Sequence, residues 1–94
     1  MEFEMVPGEN RGDVKLYALS TCVWCKRTKR LLDTLGVAYS YIYVDRLEGE
    51  TKDAARKEVM RWNPACSFPT LVIDGETCIV GFKEDRIREA LGFD

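Results

Sequence analysis

The 94-residue sequence predicts an α/β domain in which a mixed four-stranded sheet packs between three helices, in the order β-α-β-α-β-β-α. Three observations carry that prediction. A strand, a helical stretch and a second strand follow one another early in the chain, and a crossover helix between two strands implies a parallel pair. Two short apolar runs joined around Asp74-Gly75 carry the signature of a tight antiparallel hairpin. Amphipathic helical stretches separate and follow these strands.

The elements follow in order. Met1 to Asp13 mixes charges with Pro7-Gly8 and Arg11-Gly12 and keeps no period, so residues 1–13 read as a loose N-terminal tail and 14–94 as the domain. Val14 to Leu19 is dense enough in apolar residues to be a central strand covered on both faces. From Trp24 onward Thr28, Leu31, Leu32 and Leu35 recur at helical spacing, and Gly36 stops that helix in a left-handed cap. Val37 to Val44 is β-branched and aromatic with period two, which puts Tyr39, Tyr41 and Tyr43 on one face as core residues rather than as a stacking platform.

Asp45 to Gly49 is a polar turn. Ala55, Val59 and Trp62 then fall on one side of a charged helix that Asn63-Pro64 ends. Pro69 to Ile73 and Thr77 to Val80 are the hairpin strands, and Gly81-Phe82-Lys83 leads into a last helix with Ile87, Ala90 and Leu91 inward and Gly92 as its stop.

The chemistry-bearing stretch is Thr21-Cys22-Val23-Trp24-Cys25-Lys26-Arg27, where the first strand gives way to the first helix. Positions i and i+3 share one face of a helical turn, so Cys22 and Cys25 can close a disulfide or part into two thiols with little backbone movement. A sulfur at the helix mouth meets unpaired N–H groups and the positive end of the helix dipole. Lys26, Arg27, Lys29 and Arg30 follow within two turns, and both effects favour the ionised form. Cys22 is therefore the expected attacker and Cys25, one turn further in, the resolving thiol. A zinc site would need two more ligands. The chain has no His, and Cys66 and Cys78 fit no common zinc spacing. Cys78 reads as a small buried hydrophobe and Cys66 as a half-buried loop residue near Pro69, the alternative for Cys66 being a third thiol within exchange range of the pair.

Composition narrows the function. A net charge of −2 argues against a nucleic-acid partner, because neutralising phosphates calls for a basic excess. No apolar run is long enough to span a bilayer, and the N-terminus lacks the cationic-then-apolar pattern of a signal peptide. Four cysteines in such a chain suit reduced thiols with one catalytic pair, which places the protein in the cytoplasm with no membrane partner.

A Cys-x-x-Cys pair at this junction marks thioredoxin-like redox proteins. Within them the sequence resembles the glutaredoxins, most of all their glutathione-independent branch, the small redoxins that reduce ribonucleotide reductase. The resemblance rests on Tyr17 to Leu32, on Val44-Asp45, on Ser67-Phe68-Pro69-Thr70 and on Gly81-Phe82-Lys83-Glu84-Asp85. It implies a glutaredoxin-type fold and a dithiol-disulfide oxidoreductase with Cys22 and Cys25 as catalytic residues. It also implies a cis bond before Pro69 and a substrate or glutathione site built from Phe68, Pro69, Gly81, Phe82 and Asp85.

The implied partners are disulfide-containing proteins, ribonucleotide reductase among them, with a protein reductase or glutathione as electron donor. A monomer with no tightly bound cofactor and no metal is expected. The alternative is an iron–sulfur cluster carrier using Cys22 with glutathione. Two departures bear on the donor. Many glutaredoxins carry a Lys where this chain has Leu19, and the common Pro-Tyr between the thiols is Val23-Trp24 here. An exposed Trp24 beside Cys22 would suit docking to a protein.

Overall fold

A computed structural model describes residues 2–93; Met1 of the expected tail and Asp94 of the expected domain lie outside the described residues. The strands are β1 (Glu4–Val6), β2 (Val14–Ala18), β3 (Tyr39–Tyr43), β4 (Thr70–Ile73) and β5 (Thr77–Val80). The helices are α1 (Val23–Leu35), α2 (Gly49–Trp62) and α3 (Glu84–Ala90), with a 3-10 turn over Val44–Arg46 between β3 and α2.

The sheet runs β1-β3-β2-β4-β5. Strands β2 and β3 are parallel, as the crossover through α1 requires, while β4 pairs antiparallel with both β2 and β5. Asp74 and Gly75 both take positive φ in the hairpin turn, and Gly36 caps α1 at φ 71 with its N–H donated to Leu32 O. Both features stand where the sequence put them.

The sheet has five strands where the sequence predicts four. The extra one lies within the stretch expected to be a loose tail: Met5 faces Ser40 across an antiparallel β1–β3 pair. A second tie follows at Glu9, whose N–H donates to Gly36 O and whose carbonyl accepts from Ala38 N–H, both at 2.8 Å. Gly8 permits this approach, since a Cβ there would stand 2.6 Å from Gly36 O. Arg11 then donates to Leu91 O and lies 4.3 Å from the Phe93 ring. What holds the segment is backbone pairing with the open side of β3, and three residues are too few to display a hydrophobic period.

Alternation along the strands divides the core. Leu16, Leu71 and Ile79 face α1 and α3, where they meet Leu31, Leu32, Ile87 and the Cys25 side chain. Tyr17, Ile42 and Val72 face α2 and pack on Ala55 and Val59. The three tyrosines of β3 share the α1 side. Tyr39 is buried, whereas Tyr41 and Tyr43 are half-buried and carry Lys29 and Arg46 over their rings at 4.9 and 5.0 Å. Strand β2, central and covered on both faces, delivers the chain to the Cys-x-x-Cys pair.

Candidate active site

Strand β2 ends at Ala18, and the next three residues turn the chain into α1. Leu19 O accepts from Cys22 N–H at 3.2 Å. Cys22 is the N-cap of α1, with extended φ and ψ of −86° and 120°, and its Sγ accepts from Cys25 N–H at 3.2 Å. Sulfur here takes the place of the usual Ser or Asp oxygen and satisfies one of the free N–H groups of the first turn. All four cysteines are free thiols, so the structure is that of the dithiol form.

The two thiols differ sharply in setting. Cys22 is partly exposed, while Cys25 is 2 % exposed and belongs to the core on the α1 side. Burial pushes the Cys25 thiol up to about 12, helped by its hydrogen bond to Cys22; a backbone hydrogen bond from Leu19 works the other way. Geometry therefore makes one sulfur reachable and keeps the other covered and protonated.

The loop before Cys22 is fastened from a distance. Ser20 donates its N–H to Asp45 Oδ1 at 2.9 Å and its hydroxyl to Asp45 Oδ2 at 2.5 Å. These bonds from Ser20, above all the hydroxyl one, hold the Asp45 carboxyl below the usual carboxylate range. The sequence reading has Asp45 as a turn residue and as part of the Val44-Asp45 match, with no link to Ser20. The available signal is a carboxylate two residues past the end of β3, the strand parallel to the one that leads into the thiols, with Ser20 two residues past the end of β2.

Phe68–Pro69 is a cis peptide, as the resemblance implies. Pro69 is buried and its carbonyl accepts from Gly81 N–H at 2.9 Å, which joins two of the expected site segments. The loop is held from beneath by Asn63, whose Nδ2 lies within hydrogen-bond distance of Ser67 O, Ser67 Oγ and Thr70 Oγ1; the Thr70 hydroxyl donates to Ser67 O at 2.8 Å. Asn63, expected as a helix stop, is 6 % exposed and organises the Ser67–Thr70 turn.

Phe82 meets the thiol helix directly: its ring stacks on the Trp24 indole with centroids 6.2 Å apart and an interplanar angle of 21°. Trp24 remains 54 % exposed. Asp85 stands in the first turn of α3, exposed, and among the described residues no hydrogen bond or ion pair ties it to the thiols. Cys66 has φ 52 and lines a cavity of about 200 Å³ with Leu19, Asp45, Lys52, Arg56 and Phe68. Cys78 sits half-buried on β5, away from this constellation, with burial pushing its thiol up.

A partly exposed N-cap thiol three residues from a buried one, with a cis-proline loop on a mixed sheet, defines a thioredoxin-fold dithiol oxidoreductase. The comparisons narrow the class. The glutaredoxin family model matches residues 14–78, and the chain belongs to the glutaredoxin family. It is 32% identical over 75 residues to the glutaredoxin-like protein NrdH of Escherichia coli strain K12, covering 80% of this chain and 84% of that one. Among solved structures, the glutaredoxin of Methanosarcina mazei Go1 is 58% identical with a TM-score of 0.91, covering 97% of this chain and 88% of that one. The methanoredoxin of Methanosarcina acetivorans is also 58% identical, with a TM-score of 0.89 over 92% and 90% of the two chains. The protein is a glutaredoxin-like thiol-disulfide oxidoreductase with a Cys22–Cys25 pair, and its partners are redox partners. No helix among the described residues is long and apolar enough to cross a membrane.

Proposed function

We propose that Cys22 attacks protein disulfides and Cys25 resolves the product, with a protein reductase rather than glutathione returning the electrons. The supporting observation is the asymmetry of the pair, a partly exposed sulfur at the helix N-cap and a covered one whose thiol is pushed up to about 12. The Cys22 thiolate displaces one sulfur of the substrate disulfide and forms a mixed disulfide. Cys25 then attacks Cys22 Sγ, its proton passing to the departing substrate thiolate. Two electrons leave the protein, and the Cys22–Cys25 disulfide remains for the reductase to open.

Leu19 and the Trp24–Phe82 stack support a protein donor. Leu19 offers no cation to a glutathione carboxylate, and the stacked rings beside Cys22 form an apolar surface of the kind proteins dock on. Phe68, Pro69, Gly81, Phe82 and Asp85 form the substrate-facing wall in this reading. Ribonucleotide reductase is among the disulfides it would serve, as a cytoplasmic monomer with no tightly bound cofactor and no metal.

Variants test this directly. Cys22→Ser should abolish disulfide reduction and Cys25→Ser should accumulate a mixed disulfide, with iodoacetamide reaching Cys22 well before Cys25 in the unmodified protein. Leu19→Lys should raise glutathione-driven turnover by about fivefold, the worth of one exposed ion pair near ~1 kcal/mol. Activity surviving Cys22→Ser would overturn the assignment of the thiols. Efficient turnover of the unmodified protein with millimolar glutathione, and none with protein reductases, would overturn that of the donor.

A further inference from the structure

The charge of this chain is distributed against its total. Sixteen acids outnumber fourteen bases, yet α1 has no acid in its first turn, and Lys26, Arg27 and Arg30 stand exposed on the helix that the Cys22 thiol caps. None of the three is in an ion pair among the described residues; the five pairs present use Arg11, Lys15, Lys29, Arg61 and Arg88. Asp33, the one acid of α1, is already engaged by Tyr39 Oη–H and by Lys29. Lys52 and Arg56 line the cavity next to Leu19, again outside any ion pair among the described residues.

Val23, 60 % exposed, and Trp24 give the start of α1 an apolar surface, with the Arg27 guanidinium 4.9 Å from the indole ring. The acids nearby offset the field only in part. Asp45 keeps its charge while bonded to Ser20, and Asp85 stands in the first turn of α3, two acids against the five cations named. A thiol capping a helix that carries three unpaired cations and an exposed aromatic surface is complementary to an acidic segment with apolar residues next to its disulfide.

We propose that the substrates of this redoxin are acidic disulfide-bearing segments, steered onto Cys22 by Lys26, Arg27 and Arg30 and seated on the Val23–Trp24 surface. The inference rests on the reading of Cys22 as the attacking thiol. It adds the substrate class.

The probes are two peptide disulfides of one core sequence, one flanked by Glu and the other by Lys. Each is reduced by the dithiol protein, and separately by dithiothreitol to fix its intrinsic reactivity. Exchange balances within the pair: one peptide S–S bond opens to two thiols and the Cys22–Cys25 bond forms. Relative to dithiothreitol, the protein should favour the Glu peptide roughly tenfold at low ionic strength. The preference should collapse at ~1 M salt, where the screening length falls to about 3 Å. The double variant Lys26→Gln/Arg30→Gln should lose most of it, and Lys26→Arg/Arg30→Lys should keep it. Because the preference is a ratio on one thiol, a change in Cys22 reactivity cancels from it. Equal normalised rates, a Lys preference or a salt-independent ratio would overturn the inference while leaving the redox reading intact. Failure to reduce either peptide would overturn both.

Discussion

At the scale of single residues, the site depends on what lies around the Cys25 sulfur. Burial dominates, and the Asp45 carboxylate adds a small push in the same direction because a negative charge disfavours a second one. Asp45→Asn should keep an oxygen for Ser20 while removing that charge. The Cys25 thiol should then ionise more readily, and the step that releases substrate from the mixed disulfide should reach its plateau at lower pH. A pH series of single-turnover release measures this, and an unmoved profile would confine Asp45 to a structural role. Asp45→Ala also strips both hydrogen bonds from Ser20 and should cost about 1–2 kcal/mol of stability.

Among the elements, the loop that carries Phe68 and Pro69 depends on the end of α2. Asn63 is buried under it and Thr70 is fully buried, and the Asn63 amide nitrogen and the Thr70 hydroxyl bond to each other and to Ser67. Asn63→Ala should destabilise the protein by about 2 kcal/mol, the cost of leaving buried partners unpaired. Thr70→Val should cost a similar amount, and the pair together less than the sum, because the two residues share one network. Urea unfolding of the three variants supplies the test. Additive losses would show that Asn63 and Thr70 act separately.

For the whole molecule, the buried thiol makes stability depend on both pH and redox state. The Cys25 thiol is raised from 9.0 to about 12, and burial raises the Tyr17 hydroxyl from 10.0 to about 12. A group whose folded pKa lies above its unfolded value contributes stability in full below the unfolded value and loses it as pH rises through the folded one. The melting temperature of the dithiol form should therefore fall between pH ~9 and ~12. The disulfide form has no Cys25 thiol to titrate and should lose less over the same range. Parallel thermal melts of the reduced and oxidised protein decide it; identical slopes would show that Cys25 ionises freely in the fold.

How much of this was legible in the sequence follows from how far apart the interacting residues lie. The order of the main elements, the stop at Gly36, the turn at Asp74-Gly75 and the thiol pair at a strand-to-helix junction are all local patterns, each contained in a few residues. Periodicity and backbone preference act at that range, so the sequence by itself determined the α/β architecture and the class of chemistry. Strand β1, the Ser20–Asp45 tie across 25 residues, the Asn63 network and the Trp24–Phe82 stack join segments that no local pattern links. The fifth strand exists because β3 offered an open edge. The unequal thiols follow from which side of α1 packs against the sheet. Those features were decided only when burial and hydrogen bonding brought the distant segments together, and they are what fix the reach, the charge and the surroundings of the reactive sulfur.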